Sequence, residues 1–420
     1  MSEGNPRAYR ALFILTAMHF FQHLDKAALQ VTQEMIKHEF DLTDAQVGLM
    51  AGFSYGLGYV LLGLPLGYLI DRTHRVKLLA GLLAIWSGIT VMCGVAGNYW
   101  QLVVTRTLLG GAESGAVPGG LSILSDMFPP ERRAAVTSIF FLAVSLGAFT
   151  SFAVGGFLAT AFGWRSVFFI YGLPGFVIAV LLWFTVREPA RQRSPSAAPL
   201  AFRAAAGSIA RDPVLVALYV AATCWTMAIS GVASWLFPYW VRVHAFAPST
   251  AGMAVAVCFA LLGGLGSVVS GFLADRAERQ AKGRMILLLV GIGLANCALA
   301  IGAAWANQPL AAFALFSAWG LTALTYSPTI NAVIAERAHP QALGMAFAVY
   351  ILFGTLIGGG VGPLLVGMLS DHFAFAYGAL SLRPAFALIA LLQLPAVIAL
   401  YIAYQLVRGT AEPARAGASV

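Results

Sequence analysis

Charged residues are scarce in this chain. Only 10% of its 420 residues are Asp, Glu, Lys or Arg, 60% are hydrophobic, and the mean hydropathy is +0.82. A soluble globular domain carries about 25% charged residues, so this composition excludes one. The composition instead predicts a polytopic helical membrane protein.

Two further absences exclude other classes of function. The chain has no G-x-x-x-x-G-K-[ST] motif, so its energy source should be an ion gradient and not ATP. No nucleophile–base constellation stands out, so we predict that the protein is not an enzyme, and we expect no cofactor. The four cysteines fall in four different predicted spans without CxxC spacing, so neither a disulfide nor a metal site is expected.

Twelve apolar stretches are long enough to cross a bilayer, which takes about 20 residues. We predict spans one to twelve at residues 11–36, 45–70, 77–97, 100–125, 134–160, 166–186, 214–240, 249–273, 285–304, 309–334, 342–370 and 385–407. The predicted domains are an N-terminal six-helix bundle at 1–186, a cytoplasmic linker at 187–213 and a C-terminal six-helix bundle at 214–420. The linker is rich in Pro, Arg, Ala and Ser and contains no spanning run.

The distribution of basic residues predicts the orientation. Nineteen of the 25 Lys and Arg residues fall on one side, four fall on the other, and two, Lys26 and Arg106, lie inside spans. Because cytoplasmic loops carry the excess of Lys and Arg, both termini are expected in the cytoplasm. The net charge of +8 therefore reflects topology and does not indicate nucleic-acid binding. Span one is too long, and too charged near its centre, for a cleavable signal.

Span one carries a polar stripe. At about 100° per residue, six polar side chains fall within about 60° of one line on the helix. They are His19, Gln22, His23, Lys26, Gln30 and Gln33. A charge near the bilayer centre costs at least roughly 2.5–3.5 kcal/mol, so Asp25 and Lys26 should face an internal cavity, and the stripe indicates the wall of a wet pathway. The alternative is an Asp25–Lys26 pair that only holds two helices together.

Span four carries a second pair of ionisable residues, Arg106 and Glu113. They are seven residues apart and so share one face of the helix. Asp25 and Glu113 each lie roughly 20 Å along their helices, which places both near the midplane, where transporters bind substrates and coupling ions. Both are therefore candidate proton carriers. The alternative is a purely structural Arg106–Glu113 contact.

One motif occurs at the same position in each half of the chain, about 204 residues apart. It reads Gly67-x3-Asp71-Arg72-x2-Arg75 after span two and Gly271-x3-Asp275-Arg276-x2-Arg279 after span eight. Pro118 in span four aligns with Pro328 in span ten, which supports an internal repeat. Asp71 is expected to meet the N-terminus of a neighbouring helix, whose partial positive charge favours a carboxylate. In span two, spacings such as Gly52-x3-Gly56 and Gly63-x3-Gly67 predict close approaches of helix backbones.

With this doubled motif, the chain resembles the major facilitator superfamily over nearly its whole length. The resemblance implies an all-α fold of two six-helix bundles that work by alternating access. It also implies a conformational gate on the cytoplasmic side. The gate residues are Gly67, Asp71, Arg72, Arg75, Asp275 and Arg276. His74 departs from the glycine that is usual in the motif.

Several stretches resemble the Spinster branch of that superfamily. They are Leu24-Asp25-Lys26, Gly110-Gly-Ala-Glu113, Ser125-Asp-Met-Phe-Pro-Pro-Glu-Arg-Arg133, Gly163-Trp-Arg165, Arg187-Glu-Pro189 and the run from Gly362-Pro363 to Ser370-Asp371. The branch is associated with export of lysophospholipids and sphingoid phosphates in animals. The resemblance implies that Asp25 and Glu113 carry protons. Lys26 stands where the branch often has arginine, and a flexible point charge makes a lipid phosphate less favoured than a carboxylate, an amine-bearing amphiphile or another small anion.

The sequence as a whole predicts a proton-coupled secondary active transporter in the bacterial inner membrane, acting as a monomer among membrane lipids. Its substrate is expected to be amphipathic or anionic, with lysolipids and sphingoid-type lipids among the candidates. The predicted substrate-binding residues are His19, Gln22, His23, Lys26, Arg106, Trp225, Tyr326 and Asn331, the last three on a C-terminal wall that suits an apolar portion. The main alternative is a carboxylate symporter of another major facilitator branch. A non-transporting sensor or a lipid-modifying enzyme is a third and weaker alternative.

Overall fold

The computed structural model of the protein describes residues 6–191, 202–281 and 283–416, and every regular element in those ranges is a helix. Residues 192–201 of the predicted linker lie outside the described residues, as do Arg193 and Lys282, two of the basic residues that contribute to the predicted orientation.

Each of the twelve predicted spans is helical. Spans one to six are Pro6–Phe40, Asp44–Arg72, Arg75–Gly94, Tyr99–Glu113 with Ala116–Met127, Pro130–Phe162 and Trp164–Thr185. A short helix at Phe202–Arg211, here called the linker helix, follows. Spans seven to twelve are Pro213–His244, Pro248–Gln280, Arg284–Trp305, Pro309–Ala323 with Tyr326–Arg337, Pro340–Leu380 and Leu382–Ala390 with Gln393–Ala416.

Ten of these segments, within the described residues, are both long enough and apolar enough to cross a membrane. The other two are span one and span four. Span one carries Asp25 and Lys26, and span four carries Arg106 and Glu113. The two least apolar spans are therefore the two that hold the charged residues of the candidate site.

Spans four and ten are each interrupted near the middle, and proline explains both breaks. A proline inside a helix lacks an N–H group and clashes with the carbonyl four residues earlier. Pro118 lies four residues after Ser114, where the first half of span four ends, and Pro328 lies four residues after Leu324, where the first half of span ten ends. Ser114 and Thr325 each turn a hydroxyl back onto a carbonyl of the preceding turn. The aligned prolines thus break equivalent spans in the two halves.

Three spans contain π-helical segments, which often occur at functional sites. They are Leu49–Phe53 in span two, Ala256–Leu261 in span eight and Phe353–Val361 in span eleven. The first two begin 207 residues apart, so they follow the same internal repeat as the sequence motif. The third lies in a glycine-rich stretch, and the carbonyl of Gly358 there accepts a hydrogen bond from Ser230 Oγ at 2.8 Å.

Spans two and four pack backbone to backbone at glycines, but not at Gly63 and Gly67. A Cβ atom on Gly58 would lie 1.7 Å from the carbonyl oxygen of Thr107, and one on Gly110 would lie 2.1 Å from that of Tyr55. A Cβ atom on Gly67, in contrast, meets nothing within 4 Å. The close approach predicted at Gly63-x3-Gly67 is therefore wrong, because the two helices touch further along span two.

Arg75 lies at the centre of a buried polar network at the end of span two. Its guanidinium donates to Asp126 Oδ2 at 2.5 Å and to Glu188 Oε1 at 2.6 Å, and its side chain is only 2% exposed. Glu188 Oε2 also accepts the backbone N–H of Val76, in the first turn of span three. The carboxylate at this helix N-terminus is thus Glu188. Asp71 lies in the last turn of span two and is exposed, and its contact with the N-terminus of a neighbouring helix stays a prediction.

The chain divides into two compact units. The first comprises Met1–Arg193 and Ser234–Leu261, and the second comprises Ser194–Ala233 and Leu262–Val420. Within the first unit, Arg242 of span seven binds Glu34 of span one at 2.6 Å and Asp44 of span two at 2.7 Å. This ion-pair cluster explains why the second part of span seven belongs with the first unit. The domain boundaries given above stay a prediction.

Candidate functional site

Tyr55 is the centre of the charged cluster in the first unit. Its hydroxyl donates a 2.6 Å hydrogen bond to Glu113 Oε2. The Nζ atom of Lys26 lies 4.9 Å from the centroid of its ring, and the Cζ atom of Arg106 lies 5.5 Å from it. One buried tyrosine from span two therefore brings together the ionisable residues that the sequence placed on spans one and four.

Arg106 is buried, with 1% exposure, yet its hydrogen-bonding groups are not satisfied. Its Nε and Nη1 atoms have no hydrogen-bond partner among the described residues. Its guanidinium lies over the face of Tyr55. A buried guanidinium without an anionic partner is costly, so these N–H groups are suited to receive one.

Glu113 and Asp25 are each only half satisfied. Glu113 is fully buried and accepts the Tyr55 hydrogen bond on one oxygen, while its Oε1 atom has no partner in the described part of the chain. Asp25 is 1% exposed; its Oδ2 accepts from Thr90 Oγ1 of span three at 3.2 Å, and its Oδ1 is likewise without a partner there. Each carboxyl therefore keeps one oxygen that is able to hold a proton.

The two ion pairs that were the structural alternatives, Asp25–Lys26 and Arg106–Glu113, are not formed. Within residues 6–191, neither Lys26 nor Arg106 forms an ion pair with Asp25 or Glu113, because no such nitrogen and carboxylate oxygen lie within 4 Å of each other. Asp25 points toward span three, and Lys26 is exposed. The four charges thus lie near one another without closing into salt bridges.

Many side chains on the polar face of span one bind neighbouring protein groups and do not line an open pathway. His19 Nδ1 donates to Gln22 Oε1 at 2.9 Å, and Gln22 Nε2 donates to the carbonyl oxygen of Glu113 at 3.3 Å. This carbonyl is free for Gln22 because Glu113 ends the first half of span four. His19 also stacks on Phe140 at 4.4 Å, and the His23 ring lies edge-on to His19 at 4.7 Å.

The outer part of the same face is bound to span seven. Gln30 Nε2 donates to Ser234 Oγ at 3.3 Å, and Gln33 Nε2 donates to the carbonyl oxygen of Ser234 at 2.8 Å. His19, Gln22 and Gln33 are buried, while Lys26 is exposed. Most of the stripe therefore binds neighbouring protein groups, because an amide or imidazole inside a bundle needs partners wherever water does not reach it.

Tyr55 is the residue of the candidate site that sequence reasoning missed. A tyrosine in a glycine-rich apolar span looks like core, and its partner Glu113 lies 58 residues away. The sequence held only a weak signal for a role of this tyrosine. Tyr55 lies two residues after the π-helical segment Leu49–Phe53, and its backbone faces Gly110, which precedes Glu113 by three residues.

The second unit contains a separate aromatic and polar group. Trp225 of span seven stacks on Tyr326 of span ten with ring centroids 5.5 Å apart, and its Nε1 donates to the carbonyl oxygen of Ala323 at 3.0 Å. The Tyr326 hydroxyl and Thr226 Oγ1 are 2.8 Å apart. Asn331 Nδ2 donates to Ser327 Oγ at 3.3 Å, and its Oδ1 has no partner within the described residues.

The predicted gate residues differ in their burial and in their contacts. Only Arg75 is buried in a network, as described above. Arg72 is exposed and lies over the ring of Tyr68 at 4.1 Å. The carbonyl oxygens of Ile70, Asp71 and Thr73 accept hydrogen bonds from Arg191, beyond span six. Asp275 and Arg276 of span eight are exposed.

Comparison with known proteins identifies the family of this chain. The family model of the Major Facilitator Superfamily matches residues 15–363. The chain belongs to this superfamily. The predicted fold class, two six-helix bundles with twelve transmembrane helices, is confirmed by this match and by the structural comparison below. The protein is an integral membrane transporter of the superfamily, and the prediction that it is not an enzyme is also confirmed, because the superfamily and the relatives are transporters.

Three relatives illustrate the range within this major facilitator group. The crystal structure of a bacterial homolog of the human lysosomal transporter Spinster, inward-facing and unoccupied, matches with a TM-score of 0.87 and 25% identity over 97% of this chain and 99% of that one. An MFS-type efflux pump of Mycolicibacterium smegmatis is 28% identical over 95% of this chain and 93% of its own length. A probable galactarate/D-glucarate transporter of Bacillus subtilis is 25% identical over 91% and 89%. The resemblance to the Spinster branch is thereby confirmed.

Proposed function

We propose that this protein is a proton-coupled secondary active transporter that moves a small organic anion by alternating access. The observation that carries the proposal is the buried guanidinium of Arg106, whose Nε and Nη1 groups lack partners in the described part of the chain. A substrate carboxylate supplies the missing acceptor, and a charge-assisted, two-pronged contact is the strongest that arginine makes. Lys26, which is exposed beside the same tyrosine ring, adds a second positive charge.

Glu113 and Asp25 are the proposed proton carriers. Glu113 touches the anion site through Tyr55, so gain or loss of its proton changes the charge beside Arg106. Asp25 lies on the adjacent face of span one and is held by Thr90. Because two carboxyls with one free oxygen each flank two cations, binding of an anion and binding of a proton are expected to favour each other.

The relatives support an anionic substrate without naming it for this protein. One of them is a probable sugar-diacid transporter, and another is an efflux pump. Lysine at position 26 also favours a carboxylate, because a point charge lacks the planar fork that grips phosphate. An amphipathic lipid remains the second candidate, and the structural similarity to the Spinster homolog favours it. Trp225, Tyr326 and Asn331 stay predictions as substrate contacts.

Localisation in a bacterial inner membrane with both termini in the cytoplasm, and action as a monomer, belong to the same proposal. The orientation rests on the excess of Lys and Arg on one side of the predicted spans.

A ligand screen by thermal shift tests the anion site. The purified protein in detergent is heated with aliphatic and sugar carboxylates, with lysophospholipids and with sphingoid bases. A ligand that binds only the folded state raises the unfolding midpoint. We expect stabilisation by carboxylates that is lost in Arg106→Gln and weakened in Arg106→Lys and Lys26→Gln, while the exposed Arg10→Gln control behaves as wild type. Carboxylate stabilisation that survives in Arg106→Gln contradicts the proposed site, and stabilisation by lysolipids alone favours the second candidate.

A further inference from the structure

The linker helix Phe202–Arg211 has one buried face and one basic face. Ala205 and Ile209 are 2% and 6% exposed, and they lie four residues apart on the side that packs near the start of span eleven. Arg203 and Arg211 are exposed and lie about 80° apart on the opposite side at ~100° per residue. Because the apolar face packs on the protein, the two arginines face outward and are accessible to anionic groups.

An apolar groove opens directly beside Arg211. It has a volume of about 420 Å³ and runs between the first turns of span seven and the second helix of span twelve. Its walls include Val216, Val220 and Ile402, each between 42% and 49% exposed. Ala217 and Ala399 also line it, and their small side chains leave its floor open. Along span seven the groove follows the helix from Pro213 to Val220, about 10 Å.

The acid next to Arg211 is already engaged. Asp212 Oδ1 accepts the backbone N–H groups of Val214 and Leu215 at 2.9 and 3.3 Å, and so caps the start of span seven. Its Oδ2 accepts from Arg337 Nε at 3.1 Å. The carboxylate is therefore directed toward span seven and Arg337, and the guanidinium of Arg211 marks the mouth of the groove with a positive charge.

We propose that this groove binds one acyl chain of an anionic phospholipid, with the headgroup phosphate paired to Arg211. The apolar walls are suited to a hydrocarbon chain, and they belong to spans whose exposed faces meet lipid in a membrane protein. The linker helix lies on the side of the predicted spans that carries the excess of Lys and Arg, where anionic headgroups are attracted to basic side chains. Arg203 on the same exposed face adds to this attraction. The site is independent of the transported substrate.

The test compares lipids that share acyl chains and differ in charge. The full-length protein in detergent is titrated with phosphatidylglycerol, with phosphatidylcholine of the same chains and with inorganic phosphate, and retained lipid is counted by native mass spectrometry. We expect one phosphatidylglycerol to be retained in preference to phosphatidylcholine, and no effect of inorganic phosphate. The Arg211→Gln substitution should weaken phosphatidylglycerol binding by about five-fold, the value of one basic residue near an anionic surface. Arg10→Gln, an exposed arginine on the same predicted side, should leave it unchanged.

A groove-filling variant separates the chain from the headgroup. Ala217→Phe should reduce retention of both phospholipids, and its unfolding midpoint in detergent alone shows whether it folds. If Ala217→Phe does not fold, Arg211→Gln, which changes only an exposed side chain, still decides the question. Equal retention of the two lipids, competition by inorganic phosphate, or unchanged binding in Arg211→Gln would each overturn the proposal.

Discussion

Tyr55 contacts three of the four ionisable side chains in the candidate site, through its hydroxyl for Glu113 and through its ring for Lys26 and Arg106. The ring is a shared apolar and π-electron surface for two cations, which lessens their mutual repulsion. The hydroxyl fixes one carboxylate oxygen of Glu113 and leaves the other without a partner among the described residues. The two functions of this tyrosine can therefore be separated by substitution.

Tyr55→Phe should keep the ring and remove the hydrogen bond. A hydrogen bond to a charged group contributes roughly 1.5–3 kcal/mol, so we expect proton-coupled transport to fall by about 10- to 100-fold. Binding of a carboxylate, measured by thermal shift, should change little, because both cations still face the ring. Tyr59→Phe is the matched control, since its ring lies 6.1 Å from that of Tyr55 and the structure shows no hydrogen bond from its hydroxyl to Glu113. Equal transport in the two variants would contradict this role of the hydroxyl.

The sequence was sufficient to predict Asp25, Lys26, Arg106 and Glu113 as candidates, because charge inside an apolar span is costly and therefore conspicuous. It could not predict Tyr55, whose importance depends on which helix faces which. It also gave no indication that Glu188 lies at the start of span three. Asp71 and Glu188 are both acids near span ends, and only the packing of the segment after span six onto Arg75 distinguishes them.

At the scale of helices, the approach of span two to span four decides whether the site assembles. These helices touch at Gly58 and Gly110, where a side chain would meet a backbone carbonyl of the partner helix. Backbone atoms cannot move aside as a flexible side chain can. Tyr55 itself forms one of these contacts, through its carbonyl oxygen at Gly110, so the glycines fix the distance of the tyrosine from Glu113.

Gly58→Ala should therefore destabilise the protein and weaken carboxylate binding together. Overpacking of a well-packed interface typically costs about 1–3 kcal/mol, and a Cβ atom at 1.7 Å from a carbonyl oxygen is a severe clash. Gly67→Ala is the control in the same span, because nothing lies within 4 Å of its Cβ position. The unfolding midpoint in detergent should fall for Gly58→Ala and stay level or rise for Gly67→Ala. A level midpoint for Gly58→Ala would show that the two helices are further apart than described.

Arg75 holds the end of span four and the segment after span six against the start of span three. Arg75→Gln leaves Asp126 and Glu188 close together without their shared cation, and loss of one partner from a buried ion pair costs about 3–5 kcal/mol. Arg72→Gln removes an exposed arginine that lies over Tyr68, a contact of about 0.5–1 kcal/mol. Thermal unfolding of the two variants should show a large loss of stability for the first and a small one for the second. Similar losses would mean that the Arg75 network contributes little.

At the scale of the whole chain, the sequence predicted an internal repeat, and the structure adds further equivalent features to the two halves. The doubled motif and the aligned prolines predicted two related halves, and the proline breaks in spans four and ten follow from elementary backbone chemistry. The π-helical segments of spans two and eight could not be predicted, because their hydrogen-bond register depends on packing rather than on composition. The chemistry is not repeated: the ionisable cluster lies in the first unit, and the stacked Trp225 and Tyr326 lie in the second.

The most direct test of the account is proton movement in proteoliposomes. Entry of protons is followed with a trapped pH-sensitive dye after addition of a carboxylate that stabilises the protein in the thermal-shift screen. Wild type and Glu131→Gln, which changes an exposed acid at the start of span five, should both couple carboxylate flux to proton flux. Glu113→Gln and Asp25→Asn should lose the proton flux and keep carboxylate-induced stabilisation, because the anion is held by Arg106 and Lys26. Full proton flux in Glu113→Gln would contradict the central claim that this carboxyl couples the proton to the anion.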